Sequence, residues 1–194
     1  MFLENTINHS KQSGWMEVIC GSMFSGKTEE LIRRLRRAEM AGQHVEIFKP
    51  KTDTRYSVVD VVSHNQNKIR STAIESPSEI LLLGSDCDVV GIDEAQFFDD
   101  SVVEIANELA NNGIRVVIAG LDMDFLGRPF GPMPNLMATA EYVTKVHAIC
   151  RKTGNLANYS MRISSGKNLV ELGETETYEA VSRRVFIDEV LDKK

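Results

Sequence analysis

The 194-residue chain predicts an α/β fold: a parallel sheet flanked by helices, followed by a small C-terminal lobe rich in loops and hairpins. Three observations carry that expectation. Short apolar runs alternate with stretches of helical periodicity, the pattern of a sheet with right-handed crossovers. The first run feeds a glycine-rich loop that opens straight into a helix. Past Cys150 the composition shifts to Gly, Ser and Asn, with only short apolar pieces.

Residues 1–13 are polar and aperiodic, read as a loosely held tail, and lack the apolar core of a signal peptide. Met16 to Cys20 (MEVIC) is the first strand, and Thr28 to Ala41 a helix with Leu31, Ile32, Leu35 and Ala38 on one face. Gly42 closes that helix. Glu29 and Glu30 occupy its first turn, and Arg33, Arg34, Arg36 and Arg37 follow as a solvated face. Val45 to Phe48 is a second strand stopped by Pro50. Residues 51–72, with the alternation of "YSVVDVVSH", suggest a protruding hairpin. Asp88 to Ile92 (DVVGI) reads as a buried parallel strand. Ser101 and Glu104 form a candidate capping box for a helix ending near Gly113. Ile114 to Ala119 and Val143 to Ile149 complete the strands, so that residues 14–149 make one α/β domain, 150–187 the small lobe and 188–194 a tail.

Composition narrows the function. Lys and Arg total 22 against 28 Asp and Glu, a net charge of −6, which disfavours a nucleic-acid polymer as partner. No run of about 18 apolar residues offers a membrane span. Cys20, Cys87 and Cys150 are too few and too scattered for a disulfide framework and suit a reducing compartment, so a cytoplasmic protein is expected.

The stretch Gly21-Ser22-Met23-Phe24-Ser25-Gly26-Lys27-Thr28 fits G-x-x-x-x-G-K-[ST], a P-loop, between a strand and a helix. Glycines let the backbone curl so that successive N–H groups face phosphate oxygens, beside the positive end of the new helix. A di- or triphosphate is the ligand such a cradle fits. Lys27 is placed for its β and γ phosphates, and the Thr28 hydroxyl for magnesium. In "DVVGIDEAQFF" Asp93 and Glu94 fall at the end of a strand, where open α/β sheets bind ligands. Asp93 suits magnesium. Glu94 suits either polarising a water, as in an ATPase, or taking a proton from an acceptor hydroxyl, as in a kinase. Strand alternation would splay the two carboxylates, so the chain must leave the strand here. "GLDMDF" adds Leu121 and Phe125 as pocket walls, and Met23, Phe97 and Phe98 add flat apolar surface for a base. A nucleotide switch is the rival class. Thr144-Lys145-Val146-His147 lacks the Asp of a guanine-reading N/T-K-x-D, which counts against it.

Taken together, "GSMFSGKT", "FKPKTDTRY", "SHN", "GIDEAQFF", "GLDMDFLGRPFGPMPNLMATAE" and "ETYEAVSRRVF" resemble the thymidine kinase family of animals and many bacteria, distinct from the herpes-type enzymes. The resemblance extends over residues 16–187. It implies transfer of the γ-phosphoryl of ATP to the 5′-hydroxyl of thymidine, with deoxyuridine as a second acceptor, dTTP as a feedback inhibitor and a homotetramer. Glu94 matches the general base and Asp93 the magnesium-associated carboxylate. Ala95 and Gln96 belong to the same motif, and Asp53 and Arg55 match residues that approach the transfer site. Met23, Phe97, Leu121, Phe125 and Tyr178 match positions around the thymine ring. Ser160, Arg162 and Val170 fall in a lasso-like loop that holds the base.

One departure stands out. The family's lobe usually binds zinc through a C-x-x-C pair and a C-x-x-[CH] pair. The corresponding stretches here are Cys150-Arg151-Lys152-Thr153 and Ser182-Arg183-Arg184-Val185, and none of His9, His44, His64 or His147 is spaced to compensate. The lobe is expected to be zinc-free and packed through Ile149, Tyr159, Val181 and Phe186.

Overall fold

A computed structural model describes residues 13–51, 60–62, 68–163 and 177–191. The expected tail over 1–13 lies almost wholly outside them. Six parallel strands form the sheet: β1 (Trp15–Gly21), β2 (Val45–Pro50), β5 (Thr72–Ile74), β6 (Val89–Ile92), β7 (Arg115–Leu121) and β8 (Tyr142–Val146). Their order is β5-β2-β6-β7-β1-β8. A short antiparallel pair, β3 (Asp60–Val62) with β4 (Lys68–Arg70), stands apart within the stretch expected to be a hairpin. Helices α1 (Lys27–Met40), α2 (Ser78–Gly84), α3 (Ser101–Asn111) and α4 (Met133–Thr139) link the strands.

The central strands are apolar on both faces because each face is covered by helix. Met16, Val18 and Cys20 of β1 join Val102, Ala106 and Leu109 of α3 and Met133 and Leu136 of α4. Ile19 meets Leu31, Ile32, Leu35 and Ala38 of α1 on the other face. Gly42, in the left-handed region at φ 78°, closes α1 as its sequence suggests.

Four expectations for the sheet and its helices need correction. Arg34 is not part of a solvated face. It is 5% exposed and pairs with Glu17 at 2.8 Å and Glu30 at 2.8 Å, while donating to Thr144. The reason lies in β1, where Glu17 takes a core position on the α1 face and must be neutralised there. Burial pushes its carboxyl up, but Arg115, Trp15 and Arg34 outweigh that and hold it below the usual range. Secondly, the Ser101/Glu104 capping box does not form. Asp99 starts α3 instead, its carboxylate accepting the Ser101 N–H at 2.9 Å. Thirdly, the strand expected over Val143 to Ile149 breaks at His147, leaving edge strand β8 and a two-residue β9 (Ala148–Ile149). Lastly, β2 runs to Pro50, which occupies its last position rather than stopping it earlier.

The lobe is built from β9 paired with β10 (Leu156–Ala157), β11 (Tyr159–Arg162) paired with β12 (Tyr178–Val181), and α5 (Arg183–Phe186), prolonged by a wide helical turn over Ile187–Leu191. Tyr159 stacks on Phe186 with centroids 4.3 Å apart, and both join Ala148, Cys150, Met161, Val181 and Val185 in a third apolar cluster. Ile149 departs from expectation: it is 59% exposed, because alternation along β9 turns Ala148 and Cys150 inward. Residues 188–191 continue the helix, and Val190 packs on the same cluster. All three cysteines are buried and free.

Candidate active site

The glycine-rich loop leaves β1 at the carboxyl edge of the sheet and ends in α1. Gly21 has φ 146°, and a Cβ there would lie 2.1 Å from the Val146 carbonyl oxygen of the neighbouring strand. Only glycine lets the loop start that close to β8. Phe24 and Gly26 are both left-handed, at φ 62° and 84°, and this succession of positive φ values curls the backbone into a cradle. The Lys27 ammonium donates to the Ser22 carbonyl at 2.7 Å, folded across the loop it belongs to, and Ser25 Oγ donates to the same oxygen at 2.7 Å. Under the cradle, burial and then the Asp122 carboxylate push the Cys20 thiol up to about 11, so it is a packing residue.

Thr28 at the start of α1 and Asp93 after β6 converge: Thr28 Oγ1 lies 3.5 Å from Asp93 Oδ2. A hydroxyl and a carboxylate oxygen side by side at the phosphate cradle form the hard donor set that magnesium takes. The chain then leaves the strand, as the motif requires. Glu94 is left-handed at φ 52°, its N–H donates to Asp93 Oδ1 at 3.0 Å, and Ala95–Phe97 form a single 3-10 turn. The left-handed backbone at Glu94 breaks the strict alternation of the strand at this point.

Gln96 organises this turn and is 2% exposed. Its Oε1 accepts the Leu121 N–H at 2.9 Å, and its Nε2 donates to Glu94 Oε2. A backbone N–H can only donate, so it fixes the amide with its nitrogen toward the carboxylate. Gln96 was grouped with the nucleotide motif from the sequence. Its role as the bar between Glu94 and β7 needs the fold.

Among the described residues, two side-chain hydrogen bonds tie the lobe to the cradle. Ser22 Oγ donates to the Ala157 carbonyl at 3.0 Å, and the Met23 N–H donates to Ser160 Oγ at 2.9 Å. Ser160, 4% exposed, therefore touches the phosphate loop itself. Arg162 lies 3.9 Å over the Phe125 ring and donates to the Tyr178 hydroxyl at 2.8 Å, so three residues expected near the base form one contiguous group. Phe97 packs edge-on against Phe130, centroids 5.8 Å apart, and Leu121 is buried at the end of β7. Phe130 was not singled out from the sequence, although it lies in the same motif. Phe98, 7% exposed, packs largely in the core beneath α3, while its edge lines a cavity with Phe97, Pro50 and Ile74. Asp53, Arg55 and Val170 lie outside the described residues.

Beyond Phe125, the loop is shaped by Asp124, whose Oδ1 accepts the Leu126 and Arg128 N–H groups at 2.8 and 2.9 Å. Asp122, largely buried, pairs with Lys145 of β8 at 2.5 Å. These carboxylates look like further acids in the sequence, but the fold employs them to hold the loop that carries Phe125.

Comparison with known proteins agrees with this geometry. A family model described as thymidine kinase matches residues 14–186. A Bacteroides thetaiotaomicron protein named thymidine kinase is 59% identical over 187 residues, 96% of this chain and 94% of its own. One from Bacteroides fragilis is 60% identical over 186 residues, with the same coverage. A Rhodothermus thymidine kinase is 58% identical over 180 residues, covering 93% of this chain and 84% of its own. A crystal structure of a DNA replication initiation factor overlaps 69% of the chain and 40% of its own at a TM-score of 0.41 and 15% identity, too loose a likeness to argue from. With its cradle, its Asp93–Glu94 turn and near-full-length relatives all in accord, the chain belongs to the thymidine kinase family.

Proposed function

We propose that the protein transfers the γ-phosphoryl of ATP to the 5′-hydroxyl of thymidine, giving dTMP and ADP, with deoxyuridine as a second acceptor and dTTP as an inhibitor. The observation that carries the chemistry is the meeting of Thr28 and Asp93 at the mouth of the phosphate cradle, with Glu94 next in the chain and its N–H bonded to Asp93 Oδ1. The loop N–H groups and the Lys27 ammonium, swung off Ser22, neutralise the phosphates. Thr28 and Asp93 would hold magnesium, which would supply charge neutralisation at the phosphates when bound. Glu94, steadied by Gln96, accepts the proton of the 5′-hydroxyl as the new O–P bond forms and the bond to the β-phosphate oxygen breaks. Phe125, Tyr178, Arg162, Leu121 and Met23 enclose the base, with Ser160 joining that pocket to the cradle and Phe97 beside it. By the family resemblance, Asp53 and Arg55 would serve phosphoryl transfer and Val170 binding of the base. The protein works in the cytoplasm as a homotetramer, a location consistent with three free buried cysteines and with no helix of the described residues long and apolar enough to cross a membrane.

The test is a phosphoryl-transfer assay with ATP and magnesium against thymidine, deoxyuridine, deoxycytidine and deoxyguanosine, repeated with dTTP present. Selective thymidine phosphorylation, suppressed by dTTP, is expected. ATP hydrolysis independent of any nucleoside would overturn the assignment.

A further inference from the structure

The four positions that correspond to the family's zinc ligands are Cys150, Thr153, Ser182 and Val185. They do not fit the metal: one thiol, two alcohols and an isopropyl group cannot complete a tetrahedral N/S site. Among the described residues no group of three or more His, Cys, Asp or Glu is placed to hold a metal ion. Yet the four positions do not fall apart. Thr153 Oγ1 donates to Ser182 Oγ at 3.3 Å and accepts the Asn155 N–H at 3.4 Å. The turn itself is closed by Cys150 N–H to the Asn155 carbonyl at 2.8 Å and Gly154 N–H to the Cys150 carbonyl at 2.8 Å.

We propose that this hydrogen-bonded cluster is a metal-free staple, in which the Thr153 hydroxyl ties the β9–β10 turn at Cys150 to Ser182 at the start of α5. Burial makes the staple worth having. Cys150 is 0% exposed and Ser182 5%, so their polar groups need protein partners: the Ser182 hydroxyl finds one in Thr153 and the Cys150 N–H one in the Asn155 carbonyl. Val185, 8% exposed, turns into the apolar cluster with Tyr159 and Phe186 instead of presenting a ligand. A second tie runs outside the first. Lys152, within the same turn, pairs with Glu189 beyond α5 and lies 3.8 Å from Glu179 of β12. The turn, β12 and the C-terminal helix are thus joined twice without a metal.

Metal content and melting temperature test this without recourse to kinase activity, so its failure is separate from failure of the thymidine reading. Protein purified without added metal should hold under about a tenth of an equivalent of zinc per chain, and a chelator should leave its Tm unchanged. Thr153→Val and Ser182→Ala should each lower Tm by about 2–4 °C, the loss of roughly one buried hydrogen bond in a chain of this size. Thr153→Cys, Ser182→Cys and Val185→Cys together should take up about one zinc per chain and make Tm sensitive to chelator. Stoichiometric zinc in the wild-type protein, or an unchanged Tm in both single variants, would overturn the proposal. So would a triple variant with wild-type circular dichroism that binds no zinc.

Discussion

Replacing Gln96 by leucine removes a residue that touches two things at once. The Leu121 N–H, buried at the end of β7, loses its acceptor at 2.9 Å, and the Glu94 carboxylate loses the amide that holds it. The first loss is one of stability: a buried unsatisfied N–H costs about 1–3 kcal/mol, or roughly 2–12 °C in Tm for a chain of this length. The second is one of rate. A hydrogen bond to a charged group contributes about 1.5–3 kcal/mol, and if it fixes Glu94 for proton transfer its loss lowers kcat by about 10- to 150-fold. Leucine has nearly the same volume, so the core should close around it without a large cavity. Steady-state kinetics with thymidine and ATP, beside a melting curve, separate the two effects. The expected result is a fall in kcat with KM for ATP within about threefold of wild type. A lower Tm with kcat within about threefold would refute the positioning role, because the bond to Glu94 would then serve the fold alone.

Other consequences follow from the same geometry. Lys27→Ala should raise KM for ATP and lower kcat, each by more than about tenfold, as charge stabilisation is lost from both the ground and transition states; steady-state kinetics with ATP varied reports both. Phe125→Ala should raise KM for thymidine by about 5- to 150-fold, the range for removing one aromatic stacking partner, while KM for ATP changes little; equal losses for both substrates would displace Phe125 from the base pocket. For acid stability, Glu30 is held at about 2, chiefly by Arg33 and then Arg34 against the effect of burial, and Glu17 is also held below its usual value. Both folded-state values are depressed, so their stabilisation is complete above about 4.5 and is lost as pH falls toward about 2. Arg34→Met leaves the buried Glu17 short of one partner and should cost about 3–5 kcal/mol at pH 7 by urea denaturation, with a smaller deficit at pH 4.

Much of this site was legible in the sequence because its chemistry is local. A phosphate cradle is a run of eight residues, Gly21 to Thr28, between a strand and a helix, and each of its parts announces a backbone need. Asp93 and Glu94 could be placed from the end of an apolar run. The departure from the strand that their roles demanded is realised by the left-handed backbone at Glu94. What escaped was set by partners distant along the chain. Arg34 resembles its neighbours Arg33, Arg36 and Arg37, and only the burial of Glu17 across the α1–β1 contact singles it out. Strand β5 is three residues long, too short to show a period. Helix α2 did carry a signal in "SPSE": Glu79 reaches back to accept the Ser76 N–H at 2.9 Å. The same S-x-x-E spacing at Ser101 is not used, because Asp99 lies two residues earlier and caps first.

Glu94→Gln in the phosphoryl-transfer assay tests most directly whether Glu94 takes the proton. The new side-chain oxygen can still accept from Gln96 Nε2, so the turn and both substrate sites should persist. Binding of ATP and thymidine is predicted to stay within about threefold of wild type while kcat falls by about 10²- to 10⁴-fold, the usual contribution of a general base. Turnover near that of the wild type would contradict the mechanism and leave Glu94 a structural residue of the turn.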